Sequence, residues 1–231
     1  MTTHSYGPHA EQRLRLTMPA SGEKKAPLAV LFHGGYWKQQ WTVDNTPITS
    51  IVPDLLAKGF GVAEVEYRRR DDEGGGWPGT NEDALLALNS LRGVAPAECA
   101  ALDLDDVTLI GHSAGGCLVL WLAAQELPVR LTLVVAVAPV CDLSEGYFLK
   151  VSDEGDAVER YMKCTPETDE GLAQYARASP AELIPRIEVH PVRVWAALMR
   201  TRAAAFRLLH APPAQAGHRS DCADAHRRPS C

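Results

Sequence analysis

The sequence has no excess of positive charge. Its 231 residues carry 23 Lys and Arg against 29 Asp and Glu, a formal net charge of −6. A nucleic-acid-binding domain normally presents a basic face, so that class of partner is not expected. No apolar run approaches the roughly 18 residues needed to cross a bilayer, so no membrane span is expected. The opening residues, MTTHSYGPHAEQ, lack the basic start and apolar stretch of a secretory leader, and a cytoplasmic protein is expected. Six cysteines are present, at 99, 117, 141, 164, 222 and 231, with no C-x-x-C pair among them. Zinc needs closer ligand clustering than this. No metal is therefore expected, and the thiols read as small buried groups in a reducing compartment.

The chain does have short apolar runs that alternate with amphipathic ones. EQRLRLT at 11–17 begins with polar/apolar alternation, as in a half-exposed edge strand. PLAVLF at 27–32, GVAEVEY at 61–67, DVTLI at 106–110, LTLVVAVAPV at 131–140 and PVRVW at 191–195 read as strands, several of them apolar enough to be buried on both faces. Between them, 49–58, the segment opened by Thr80 and 114–126 read as helices, with Thr80 and Asp83 resembling a capping box. Thr165-Pro166 and Ser179-Pro180 each look like an N-cap followed by proline at the first helical position. This order predicts an α/β fold: a mostly parallel sheet flanked by helices.

Residues 111–116, GHSAGG, follow the strand DVTLI and open a helix. That is G-x-S-x-G in a strand–turn–helix context. A serine hydroxyl is a weak nucleophile unless presented to a base, and a sharp turn presents Ser113 above the sheet. Gly111 and Gly115 flank it, where side chains would collide with the adjacent strand and helix. The N–H of Ala114, at the helix N-terminus, points to where negative charge develops in acyl transfer. A dinucleotide fingerprint would need glycine where Ser113 stands, and a purely structural Gly-rich turn is the bland alternative. Upstream, His33-Gly34-Gly35 follows the strand PLAVLF, as an HGGG-type oxyanion loop does. It would bring the N–H of Gly34 or Gly35 opposite that of Ala114. His33 then holds the loop, and Tyr36 and Trp37 either touch the substrate or pack as lid or core.

HGGYW at 33–37, EVEYRR at 64–69, GGGWPGT at 74–80 and GHSAGG together resemble the α/β-hydrolase superfamily, and within it bacterial esterases related to kynurenine formamidase (arylformamidase). The resemblance runs from about Tyr6 to Trp195. It implies Ser113 as nucleophile and Gly34, Gly35 and Ala114 as the oxyanion hole. It also implies hydrolysis of a small ester or N-formyl aryl amide, with neither metal nor cofactor. Trp77-Pro78 is expected to pack rather than react.

The last part of the chain departs from that pattern. The resemblance calls for an acid after the strand matching PVRVW and a histidine after one further strand. AALMRTRAAAF follows Trp195 instead, with neither glycine nor carboxylate. Residues 196–231 contain ten Ala and six Arg, and no Val or Ile, which a buried strand would normally use. The expectation is a hydrolase domain over 1–195 lacking its last strand, then an atypical tail of the kind a frameshift produces. Of His210, His218 and His226, the last is the best remaining candidate base. Asp142, Asp153 and Asp156 are candidate acids whose ordinary reading is capping or loop. His112 is expected to point away from the serine, and His190 to lie at the far edge of the sheet. The absent strand would leave the edge at PVRVW open and favour self-association.

Overall fold

Phe32 at the end of one strand lies level with Gly111 at the end of another, and the sheet is built outward from that pair. The computed structural model describes residues 1–20, 25–94, 96–183 and 192–195. Its strands are β1 (Thr2–Ser5), β2 (Arg13–Thr17), β3 (Ala26–Phe32), β4 (Gly61–Val65), β5 (Leu102–His112), β6 (Leu131–Val137) and β7 (Val192–Trp195). They form one sheet in the order β1-β2-β4-β3-β5-β6-β7. β1 and β2 run antiparallel to their neighbours, and the pairs from β4 to β7 are parallel. The helices are α1 (Val52–Ala57), α2 (Gly79–Ser90), α3 (Pro96–Ala101), α4 (Ala114–Leu122), α5 (Leu143–Phe148), α6 (Ala157–Met162), α7 (Asp169–Ala178) and α8 (Pro180–Leu183).

Strand period and burial together divide the core in two. Along β3, Leu28, Val30 and Phe32 join the large cluster that includes Leu118, Leu122 and Leu88, while Ala29 and Leu31 face a smaller one with Ile48, Val62 and Ile110. Alternate residues thus serve opposite faces, and both faces are covered. Each Leu or Phe fully withdrawn from water contributes roughly 1.5–3 kcal/mol. β2 alternates buried and half-buried residues, the pattern that its polar/apolar sequence predicts.

Several local expectations change. β1 was not foreseen: THS is too short and polar to signal a strand, and its pairing to β2 creates it. β6 stops at Val137, because Ala138 takes a positive φ of 48° ahead of Pro139. Thr165-Pro166 does not open a helix. α7 begins three residues later, where the Thr168 hydroxyl accepts from the Gly171 N–H at 3.1 Å. Thr80 and Asp83 do not form a capping box either. α2 already includes Thr80, and Asp83 is buried and spent on Arg68, with Arg68 Nε at 2.9 Å and Arg68 Nη2 at 2.6 Å.

The chain passes from β3 to β4 on one side and then crosses to β5 on the other. The ends of β3 and β5 therefore flank a switch in strand order, the place where open α/β sheets bind ligands. Among the described residues no helix is long and apolar enough to cross a membrane.

Candidate active site

Ser113 sits between β5 and α4 with φ 54° and ψ −114°, a left-handed conformation that a side-chain-bearing residue adopts only under constraint. Its N–H donates to Val137 O at 2.8 Å, and its carbonyl accepts from Cys117 N at 3.0 Å, starting α4. The turn is tight enough to exclude side chains around it. A Cβ at Gly115 would lie 2.1 Å from Phe32 O, and one at Gly111 would lie 2.2 Å from Gly115 O. Glycine at both places lets α4 start directly against the end of β3.

The loop after β3 comes to the same point. A Cβ at Gly34 would meet His112 O at 2.8 Å, His112 Nδ1 at 2.9 Å and Ser113 Cβ at 3.1 Å. Gly34 is thus packed on the turn that carries Ser113, and Ala114 at the start of α4 is buried beside it. The His112 ring lies beside Gly34, its Nδ1 2.9 Å from where a Gly34 Cβ would stand; burial pushes its pKa down.

A buried polar network fixes the loop from behind. His33 Nε2 lies 2.9 Å from Glu66 Oε1, and His33 Nδ1 lies 2.8 Å from Gly34 O. Each ring nitrogen thus faces an oxygen of the network. Tyr67 stacks on the ring with centroids 4.4 Å apart and donates its hydroxyl to His33 O at 2.7 Å. Glu66 also accepts from Val43 N at 2.9 Å and lies 3.5 Å from Arg69 Nη1. Burial pushes the Glu66 carboxyl up. The hydrogen bond and charge of His33, with the Val43 N–H and Arg69, outweigh that and hold it below the usual carboxylate range. Burial, reinforced by Glu66, pushes the Tyr67 hydroxyl well above its ordinary value. Glu66, Tyr67 and Arg69 lie in the EVEYRR stretch at 64–69, but the sequence assigned no role to any of them. The signal was there, since charged residues interrupt the otherwise apolar segment GVAEVEY, and buried charges require partners.

Tyr36 and Trp37 part company. Both have positive φ, 51° and 55°. Trp37 is only 1% exposed and stacks on Tyr161 with centroids 3.9 Å apart, so of the readings open to it the geometry takes core packing. Tyr36 stays half-buried, its hydroxyl pushed up by burial and by Asp153. Trp77 packs edge-on against Trp121, with centroids 6.2 Å apart, and its Nε1–H donates to Gln174 at 3.0 Å.

Asp142 caps α5, its Oδ1 accepting from Glu145 N at 2.9 Å, and Asp156 is an ion-pair partner of Arg70 at 3.5 Å. Among the described residues Ser113 Oγ makes no hydrogen bond to a histidine, and no group of three His, Cys, Asp or Glu is placed to hold a metal ion. His190, His210, His218 and His226 lie outside the described residues, as do the 196–231 tail and the surroundings of the β7 edge.

Residues 14–184 match the sequence model of the family described as BD-FAE. No curated protein matches the chain. Among solved structures, esterase B of Lactobacillus rhamnosis superposes with a TM-score of 0.66 at 23% identity, over 84% of this chain and 64% of that one. A protein of Silicibacter sp. TM1040 gives 0.62 at 27% identity, over 84% and 64%. The acylaminoacyl peptidase of Pyrococcus horikoshii gives 0.61 at 18% identity, over 79% and 29%. The chain thus spans less than two thirds of the length of each of these proteins.

Proposed function

Because the chain belongs to the BD-FAE family and has an α/β-hydrolase fold, we propose that it is a serine hydrolase of small carboxylic esters that acts through a Ser113 acyl-enzyme. The observation that carries this reading is the Ser113 turn, with φ 54°, pressed against the backbone of Gly34. Ser113 Oγ attacks the acyl carbonyl, and the charge collecting on the carbonyl oxygen is met by the N–H of Ala114 and that of Gly34 or Gly35. Each such donor is typically worth about 3 kcal/mol in the transition state. Water then releases the acid from Ser113. Tyr36 borders the pocket. An N-formyl aryl amide is the second substrate class, because its carbonyl presents the same electrophile and the same developing oxyanion. The chemistry needs no cofactor.

A base must take the Ser113 proton, and the residue we assign to it is His226. A second reading is favoured by one sequence feature: 196–206, directly after β7, contains no carboxylate to orient such a histidine. On that reading the chain keeps the pocket and the serine turn without a working base. Removing triad members from a serine hydrolase leaves only about 10³–10⁴-fold acceleration over water. A fluorophosphonate probe separates the two. Labelling of the full chain that disappears in Ser113→Ala establishes an activated serine. A folded protein that stays unlabelled overturns the hydrolase reading in favour of the second.

A further inference from the structure

The peptide between His33 and Gly34 is held by its carbonyl. Tyr67, closed to solvent, donates its hydroxyl to His33 O at 2.7 Å. The same oxygen lies against the start of α4, since a Cβ at Gly115 would stand 2.4 Å from it. This peptide bond is trans, the cis bond among the described residues being Trp77–Pro78. In a trans peptide the C=O and the N–H lie in one plane and point opposite ways. Fixing His33 O on the Tyr67 side therefore turns the Gly34 N–H to the other side of the loop.

Gly34 is itself buried, and its backbone packs on the Ser113 turn. Among the described residues its N–H has no hydrogen-bond acceptor. Buried backbone N–H groups are almost always paired, so an open one beside a strained serine calls for an acceptor that arrives with a ligand. The next peptide is held differently. Gly34 O lies 2.8 Å from His33 Nδ1, and a ring nitrogen donates only while it carries the proton. The Tyr67 phenol has no such alternative. Burial, reinforced by Glu66, pushes its ionisation well above the ordinary value, so the proton stays on the oxygen.

We propose that Tyr67 is a positioning residue for the reaction at Ser113: its hydroxyl fixes the His33–Gly34 peptide so that the Gly34 N–H, rather than that of Gly35, is the second oxyanion donor opposite Ala114. This role rests on the hydrolase reading of Ser113 and names the glycine within it. Tyr67 does not touch the substrate. It acts through one peptide unit, and with the hydroxyl gone the backbone freedom of glycine lets that unit rotate and the N–H lose its aim.

The test is Tyr67→Phe, which keeps the ring stacked on His33 and removes only the hydroxyl. Gly34 is the only glycine of the chain preceded by histidine. Heavy-isotope labels in the histidine carbonyl carbon and the glycine nitrogen therefore give a single His33–Gly34 signal in a carbonyl–amide correlation NMR spectrum. In Tyr67→Phe the His33 carbonyl carbon should move upfield, as a carbonyl does on losing a donor, and the Gly34 amide should shift with it. The rate constant for fluorophosphonate labelling should fall about tenfold or more, part of the roughly 10²–10³ that removal of a whole donor costs. A merely structural role would lower the melting point and leave the labelling rate of the folded protein unchanged. In the wild type, reaction with the fluorophosphonate should move the Gly34 amide proton downfield as the phosphonyl oxygen takes the oxyanion's place. That measurement needs no variant, should Tyr67→Phe fail to fold. An unmoved Gly34 signal in the phosphonylated wild type overturns the proposal. So does a folded Tyr67→Phe that labels at the wild-type rate or leaves the His33 carbonyl signal in place. A folded wild type that stays unlabelled overturns the hydrolase reading itself, and the role of Tyr67 falls with it.

Discussion

The imidazole of His33 and the carboxylate of Glu66 meet at 2.9 Å, in a place where both side chains are closed to solvent. Behind them Arg69 extends the pair to Asp72 at 3.0 Å and to Glu11 at 3.1 Å. In front, His33 reaches Gly34, whose backbone lies against Ser113. Removing one member of a buried pair strands the other charge. Glu66→Ala is therefore expected to lower the unfolding free energy by roughly 3–5 kcal/mol, read from urea midpoints.

The same carboxylate gives a pH dependence with a definite sign. Its folded-state pKa is held below the ordinary value, so its contribution is complete above about pH 4.3 and is lost as pH falls through the folded value. The stability difference between wild type and Glu66→Gln should be constant from neutrality down to about pH 5 and shrink below that. A difference that grows on acidification would contradict the assignment.

Gly34→Ala tests the packing of the loop on the serine turn. The added carbon would fall 2.8 Å from a backbone oxygen and 3.1 Å from Ser113 Cβ, so the loop must move away from the turn. Loss of an oxyanion donor costs about 10²–10³ in rate. The rate constant for fluorophosphonate labelling should fall by that order while circular dichroism stays native.

Gly115→Ala acts on the fold itself. Its Cβ would lie 2.1 Å from Phe32 O and 2.4 Å from His33 O, both backbone atoms with no freedom to rotate aside. Overpacking of a core typically costs 1–3 kcal/mol, and this contact between α4 and the end of β3 should reach or exceed about 3 kcal/mol. Thermal unfolding measures it, and a melting point equal to wild type would show the contact to be softer than drawn.

Trp37→Ala and Tyr36→Ala separate neighbours that look alike in sequence. Truncating a buried Trp typically costs 3–5 kcal/mol, and the stacked partner Tyr161 would lose its cover. Half-buried Tyr36 should cost about 1 kcal/mol, with its effect on labelling rate instead. Denaturant melts of the two variants give the comparison.

Much of the fold was legible because burial on both faces leaves a direct trace: PLAVLF has no polar alternation, and β3, which it forms, is the centre of the sheet. Boundaries set by long-range contacts were not. β1 exists because β2 offers it an edge, and the start of α7 depends on which threonine finds a free N–H. At the site, GHSAGG announced the serine turn, since glycine is demanded on both sides by steric contact alone. His33-Gly34-Gly35 announced the loop.

What the sequence by itself determined, then, is the local chemistry: which residues turn, which strands are buried, and which serine stands at a helix start. Only the tertiary structure decided how those pieces are held. Glu66 lies 33 residues from His33, and Arg70 meets Asp156 across the molecule. No local pattern encodes such pairings, because a buried charge takes its partner from whatever strand or loop the sheet order brings beside it. That is also why Trp37, beside a glycine turn, is a core residue rather than a pocket wall. Tyr161, 124 positions along the chain, covers it.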